Sequence, residues 1–294
     1  MSKIEEALNK AKQSREKGLT SVKAVDTQER FPSSVRSIVP ISSDREDGMK
    51  RESSTKEISL MDSGEILDKN ELAELKIIHS EMSDNKIANT YRDLRTKLIQ
   101  KNPGKNFIAM ITSCVPDQDS SPTTLNIATA FSFDESKTSL LIDCNLNNPK
   151  LDALLNMETD QGLTDYLEDN TIPVDSIMHK TGIKRLKTIP AGTARETATE
   201  YFTSLRMRQL MSDLLTRYSD RYIFLDTAPI NESADTRILV ELCDFVILVV
   251  PYGMATKGKV VESVEAIGKE KLLGIVFNEK PKLPKFKFSN LFKH

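Results

Sequence analysis

At 294 residues the chain is long enough to bury a large core in one or two domains. Its 41 Lys and Arg against 43 Asp and Glu leave a net charge of −2, so no global field points to nucleic acid. The longest apolar stretch, Phe245 to Pro251, falls far short of the ~20 residues a spanning helix needs, and the charged start MSKIEEALNKAKQSREKG lacks the apolar stretch of a signal peptide. Cys114, Cys144 and Cys243 are widely spaced and read as buried reduced thiols. His79, His179 and His294 make no metal-ligand cluster. The cytoplasm is the expected address.

In chain order, residues 1–17 predict an amphipathic helix, with Ile4, Leu8 and Ala11 on one face and Glu6 and Lys10 as an i,i+4 pair. Such a helix either packs on its own domain or docks on a partner. Residues 18–85 are rich in Ser, Lys, Glu and Asp and read as a flexible polar linker, with a short helical segment at Glu71–Ile78. A second helix is expected around Lys86–Gln100.

From Asn106 the pattern changes. Short apolar runs at Phe107–Thr112, Ser139–Asp143, Arg185–Pro190, Arg221–Asp226, Asp244–Val250 and Leu272–Phe277 read as strands. Between them Thr123–Phe133, Ser204–Tyr218, Ala234–Leu242 and Lys257–Ile267 carry the helical period. Strands apolar on both faces and separated by helices predict an α/β fold with a parallel sheet flanked by helices. This places the principal domain at residues 86–278 and a basic tail at 279–294.

In such folds ligands bind at the carboxyl ends of strands. The first strand here runs into TSCVPDQDSSPTTLNIA (Thr112–Ala128), which resembles the loop TSxxPGEGKSTTxxNLA of bacterial tyrosine kinases of polysaccharide export, relatives of the MinD and ParA ATPases. Thr112, Ser113, Pro116, Ser121, Thr123, Asn126 and Ala128 match. Asp117 and Asp119 stand at glycine positions, Ser120 at that of the phosphate-binding lysine, and Pro122 follows the retained serine. A phosphate loop works through glycines that curl N–H groups around the anion and a lysine that supplies charge. A carboxylate 4 Å from a phosphate repels it by about 4 kcal/mol at an effective dielectric of 20. Conversely, Asp119, Ser120 or Ser121 as a cap, with Pro122 in the first turn, predicts a helix that satisfies its own start. The loop is not expected to hold ATP in the usual way.

The resemblance extends from about Lys86 to Asn278. LLIDCNLNNP (Leu140–Pro149) looks like the family's LLIDADLRRP, with Asp143 kept, Asn145 at the second aspartate, and Asn147 and Asn148 at the arginines. An amide is a poorer ligand for a hard cation and no general base. GLTDYL (Gly162–Leu167) resembles GLSDVL, IPAG (Ile189–Gly192) resembles LPAG, YIFLDTAP (Tyr222–Pro229) resembles VIIDTPP, and GIVFN (Gly274–Asn278) resembles GVVLN. The resemblance implies Ser120, Ser121, Thr123 and Asn278 around a nucleotide and Ser121, Asp143 and Asp226 around Mg²⁺. All are read as vestigial, the two aspartates as strand-end carboxylates now bonded to local N–H groups. ANTYRDLRTKL (Ala88–Leu98) resembles ExYRxLRTNL, the family's ring interface, with Asn89 at the glutamate. Tyr91, Arg92 and Arg95 are therefore the candidate interface, beside the plainer reading of a solvated basic helix face. The family's C-terminal tyrosine cluster has no counterpart in EKPKLPKFKFSNLFKH, whose lysines and phenylalanines suit an anionic membrane or an acidic partner, beside the plainer reading of a disordered basic tail.

The expected function is that of a non-catalytic or weakly active tyrosine kinase homologue, an adaptor or regulator of exopolysaccharide or capsule biosynthesis. It would be cytoplasmic and held at the inner membrane by a polysaccharide co-polymerase, as a homo-oligomer or with an active paralogue. No cofactor and no nucleic acid are expected, ATP with Mg²⁺ only if the site functions. An active autokinase with an unusual loop and a MinD- or ParA-like positioning ATPase stand as alternatives.

Overall fold

The computed structural model describes residues 65–278 apart from 80, 83–84, 104, 117, 119, 196–198 and 218–220. All of these belong to the second of the chain's two compact units, Arg45–His294. The predicted N-terminal helix, most of the linker, Asp117, Asp119 and the basic tail lie outside the described residues.

Two short connections lead into a sheet. Helix α1 (Lys69–Glu74) starts at Asp68, whose carboxylate takes the N–H of Asn70 and Glu71 while Glu71 returns to the Asp68 N–H. It stops earlier than the pattern suggests, because Lys76 turns left-handed at φ 56° and sends Ile77 and Ile78 into the core. There Asn126 clamps the segment, accepting from Ile78 N–H at 2.7 Å and donating to Lys76 O at 3.2 Å. Leu67, Leu72 and Leu75 pack against the same cluster, so the folded unit takes in a stretch that composition assigned to the linker. Its polar residues concealed five apolar anchors, Leu67, Leu72, Leu75, Ile77 and Ile78.

Helix α2 (Asn85–Lys101) then leads to β1 (Ile108–Ser113), α3 (Ser121–Ser132), β2 (Thr138–Asp143), α4 (Leu151–Leu155), α5 (Leu163–Glu168), β3 (His179–Lys180) and β4 (Leu186–Ile189). After these come α6 (Thr199–Thr203), α7 (Leu205–Arg217), β5 (Arg221–Asp226), α8 (Ala234–Leu242), β6 (Phe245–Pro251), α9 (Lys257–Ile267) and β7 (Leu272–Asn278). The sheet order is β3-β4-β2-β5-β1-β6-β7, parallel except for the two-residue β3. That antiparallel edge and the short α4, α5 and α6 have no period long enough to be read from sequence.

Alternation along each strand feeds two cores. Ile108, Met110, Leu140, Ile142, Ile223 and Leu225 face α7 to α9 through Leu210, Leu214, Leu239 and Ile267. Ala109, Ile111, Leu141, Phe224 and Val249 face α2 and α3 through Leu98, Leu125 and Phe131. Both faces of the central strands are thus covered, which is why they carry no polar side. Burial pushes the three cysteine thiols upward, leaving them as inert core groups. Among the described residues no helix is long and apolar enough to cross a membrane.

Candidate functional site

Strand β5 lies between β2 and β1, with Asp143 and Asp226 as register partners at their ends and β1 running two residues beyond, to Ser113. Helix α3 starts above them. Asp226 is 1% exposed, and a buried carboxylate must collect donors or be neutralised. It collects three hydroxyls. Thr124 Oγ1 donates to its Oδ1 at 2.7 Å, Ser120 Oγ to the same oxygen at 3.3 Å, and Ser121 Oγ to Oδ2. Ser120 has helical dihedrals and makes no side-chain cap, while Asp119, another of the expected caps, lies outside the described residues. The Ser120 hydroxyl meets the stronger demand of the buried charge. The start of α3 is instead closed by backbone, with Thr123 and Thr124 N–H both reaching Ser120 O at 2.9 Å.

Asp143 is held differently. Its oxygens accept the N–H groups of Asn145 at 3.0 Å, Lys150 at 3.1 Å and Leu151 at 3.2 Å, which folds residues 144–151 around the carboxylate. Burial pushes its carboxyl up to about 6, with Asp152 adding to the rise, against the three N–H bonds that pull it down. Beyond the strand ends, among the loops that follow β1, β2 and β5, opens a cavity of about 210 Å³ lined by Gln118, Ser120, Asn145, Asn147, Lys150 and Ser233, with neither aspartate in its wall. Ligand pockets start at roughly 300 Å³, so this one is small. Among the described residues no three His, Cys, Asp or Glu side chains gather as a metal site.

No protein-family model matches the chain. It is 31% identical over 193 residues to the tyrosine-protein kinase YwqD of Bacillus subtilis (strain 168), covering 65% of this chain and 80% of that protein. It is also 31% identical over 209 residues to the tyrosine-protein kinase CpsD of Streptococcus pneumoniae, covering 70% of this chain and 90% of CpsD. The chain belongs to the bacterial tyrosine kinase family. Solved structures agree on the fold. The chimerical protein CapA2B2 aligns with a TM-score of 0.64 at 24% identity over 79% of this chain and all of that one. The kinase domain of Escherichia coli ETK aligns at 0.58 and 20% identity over 80% of this chain and 98% of its own.

Within this tyrosine kinase fold the remaining candidate residues fall into two groups. Thr123, Asn278 and Tyr91 form one cluster: Asn278 Nδ2 donates to Thr123 Oγ1 at 3.2 Å, and the Tyr91 hydroxyl is hydrogen-bonded to the same threonine. Burial pushes the Tyr91 phenol up. Two predicted nucleotide positions and one predicted interface residue thus lock α2, α3 and β7 together. Arg95 also turns inward, donating to Ala130 O at 2.9 Å on α3. Arg92 stays at the surface, bonded to Asn89 at 3.0 Å and stacked 5.7 Å from the centre of the Phe133 ring.

The GLTDYL and IPAG segments support the site from the side. A Cβ on Gly162 would fall 2.3 Å from Gly192 N, and one on Gly192, at φ 79°, 2.3 Å from Asp165 Oδ2. Their backbones touch, and Thr164 Oγ1 donates across to Ala191 and Thr193 oxygens at 3.0 and 2.9 Å. Arg195 N–H then ties this turn to Leu146 O at 3.1 Å, and its guanidinium forks onto Glu168 at 2.7 and 2.8 Å. Arg195 and the Tyr201 hydroxyl hold the Glu168 carboxyl down to about 2. Sequence reasoning singled out neither Thr124 nor Lys150. Thr124 was signalled only as the second threonine of the matched loop, and Lys150 only by its place after Pro149.

Proposed function

We propose that this chain is a non-catalytic member of the bacterial tyrosine kinase family, an adaptor or regulator in exopolysaccharide or capsule biosynthesis and export. It works in the cytoplasm beneath a polysaccharide co-polymerase of the inner membrane. The observation that supports the reading is the turn above β5: Ser120 stands at the lysine position and gives its hydroxyl, with those of Ser121 and Thr124, to the chain's own Asp226. A nucleotide needs open amide donors and a cation there, and phosphoryl transfer depends almost wholly on such positioning and charge. Ser120 brings neither the length nor the charge of a lysine, and Asn145 lacks the basicity of the second aspartate.

The family fold is intact around this turn, and a folded domain that has ceased to turn over still offers surfaces. Docking is the activity left to it. The test is incubation of the full chain with γ-labelled ATP and Mg²⁺, followed by detection of phosphotyrosine, beside recovery of the protein from membranes. The reading expects no incorporation and co-purification with a polysaccharide co-polymerase. Label on tyrosine makes the chain an active kinase instead, and recovery with nucleoid DNA removes the polysaccharide assignment.

A further inference from the structure

The sheet ends in β7, which pairs with β6 and has no second neighbour among the described residues. Natural sheets blunt such edges with charge, proline or short length, because unpaired N–H and C=O groups template another strand. β7 has none of these guards. It runs seven residues as LLGIVFN, with Ile275 38% and Phe277 71% exposed. Beside it lies a groove of about 480 Å³ toward α2, lined by Leu94, Ile247 and Ile275 and bordered by Lys97 and Lys101. Both lysines are exposed, and no carboxylate lines the groove.

We infer that the β7 edge binds an extended segment of a partner protein that alternates apolar and acidic residues. The strand would add to the sheet through main-chain bonds. Its apolar side chains would cover Ile275 and Phe277, and its carboxylates would face Lys97 and Lys101. Charge decides between occupants. A second copy docked about a two-fold axis brings Lys97 and Lys101 against their own equivalents. Residues 279–294 bring Lys280, Lys282, Lys285, Lys287 and Lys293 with the single carboxylate side chain of Glu279. Both meet like charge, whereas an acidic strand is attracted. The inference does not depend on the nucleotide site and stands or falls separately from the proposed function.

The probe is a short fluorescein-labelled peptide of alternating Val and Glu, compared with its Val–Lys counterpart by anisotropy on the full chain at low salt. The Glu peptide should bind at least about ten-fold more tightly. Phe277→Asp should weaken it by a similar factor, and the double reversal Lys97→Glu, Lys101→Glu should invert the preference. Hydrogen exchange should slow at residues 272–278 when the peptide is bound. Equal affinity for the two peptides, or indifference to these surface variants, overturns the inference. So does a sedimenting dimer abolished by Phe277→Asp, which assigns the edge to a second copy. Protection of 272–278 that is lost on deleting 279–294 overturns it too, assigning the edge to the chain's own tail.

Discussion

Asp226→Ala separates a structural carboxylate from a waiting metal ligand. In the present arrangement the substitution removes three hydroxyl bonds to a buried charge. Bonds to charged groups contribute about 1.5–3 kcal/mol each, but two of the donors have fallback acceptors. Thr124 Oγ1 already shares Ser120 O at 3.0 Å, and Ser120 Oγ lies 3.5 Å from Thr227 O. Relief of repulsion from the neighbouring Asp143 offsets a further part. The net loss is therefore about 2–3 kcal/mol, which at an m-value of ~2 kcal/mol/M lowers the urea midpoint by about 1 M. Equilibrium unfolding at pH 7, followed by far-ultraviolet dichroism, reads this directly. A carboxylate kept for an absent cation behaves in the opposite sense, since its removal relieves like-charge repulsion and stabilises the protein. An unchanged or raised midpoint would refute the reasoning.

Two further substitutions probe the surroundings. Asp143 titrates at about 6 in the fold against an ordinary 3.8. Its contribution to stability is thus fully present below 3.8 and is lost as pH rises through 6. Asp143→Asn should therefore gain on the wild type between pH 4 and 7 by up to about 3 kcal/mol, since each pH unit between the unfolded and folded titration points is worth about 1.4 kcal/mol. Urea midpoints across that range test this, and a pH-independent difference contradicts it. Gly192→Ala should destabilise by about 2 kcal/mol or more, from a left-handed backbone and a contact no Cβ can make, and should loosen the Gly162 turn with it. Thermal unfolding checks it, and an unshifted midpoint contradicts the close approach.

The sheet was legible because β1, β2, β5 and β6 each carry an unbroken apolar run, Ile108–Ile111, Leu140–Ile142, Tyr222–Leu225 and Phe245–Val250, and a strand covered on both faces has that composition. Asp143 and Asp226 were legible as strand-end carboxylates for the same reason, since the polar residue closes the apolar run. Their partners were not. Whether Ser120 caps its own helix or turns to Asp226 depends on a meeting of residues 106 apart in sequence, which no local pattern encodes. The Tyr91–Thr123–Asn278 cluster is hidden likewise, because each member looks sufficient to itself as a helix-face, helix-start or strand-end residue. Ile77 and Ile78 were lost in a polar stretch whose composition is that of a linker while its few apolar residues are those of a core.

We propose that the turn over β5, whose Ser120, Ser121 and Thr124 hydroxyls are turned to Asp226, holds no triphosphate. Titration calorimetry of Mg-ATP into the full chain at micromolar concentration tests it most directly. The account predicts no saturable heat beyond dilution. A one-to-one isotherm with a micromolar dissociation constant would contradict it.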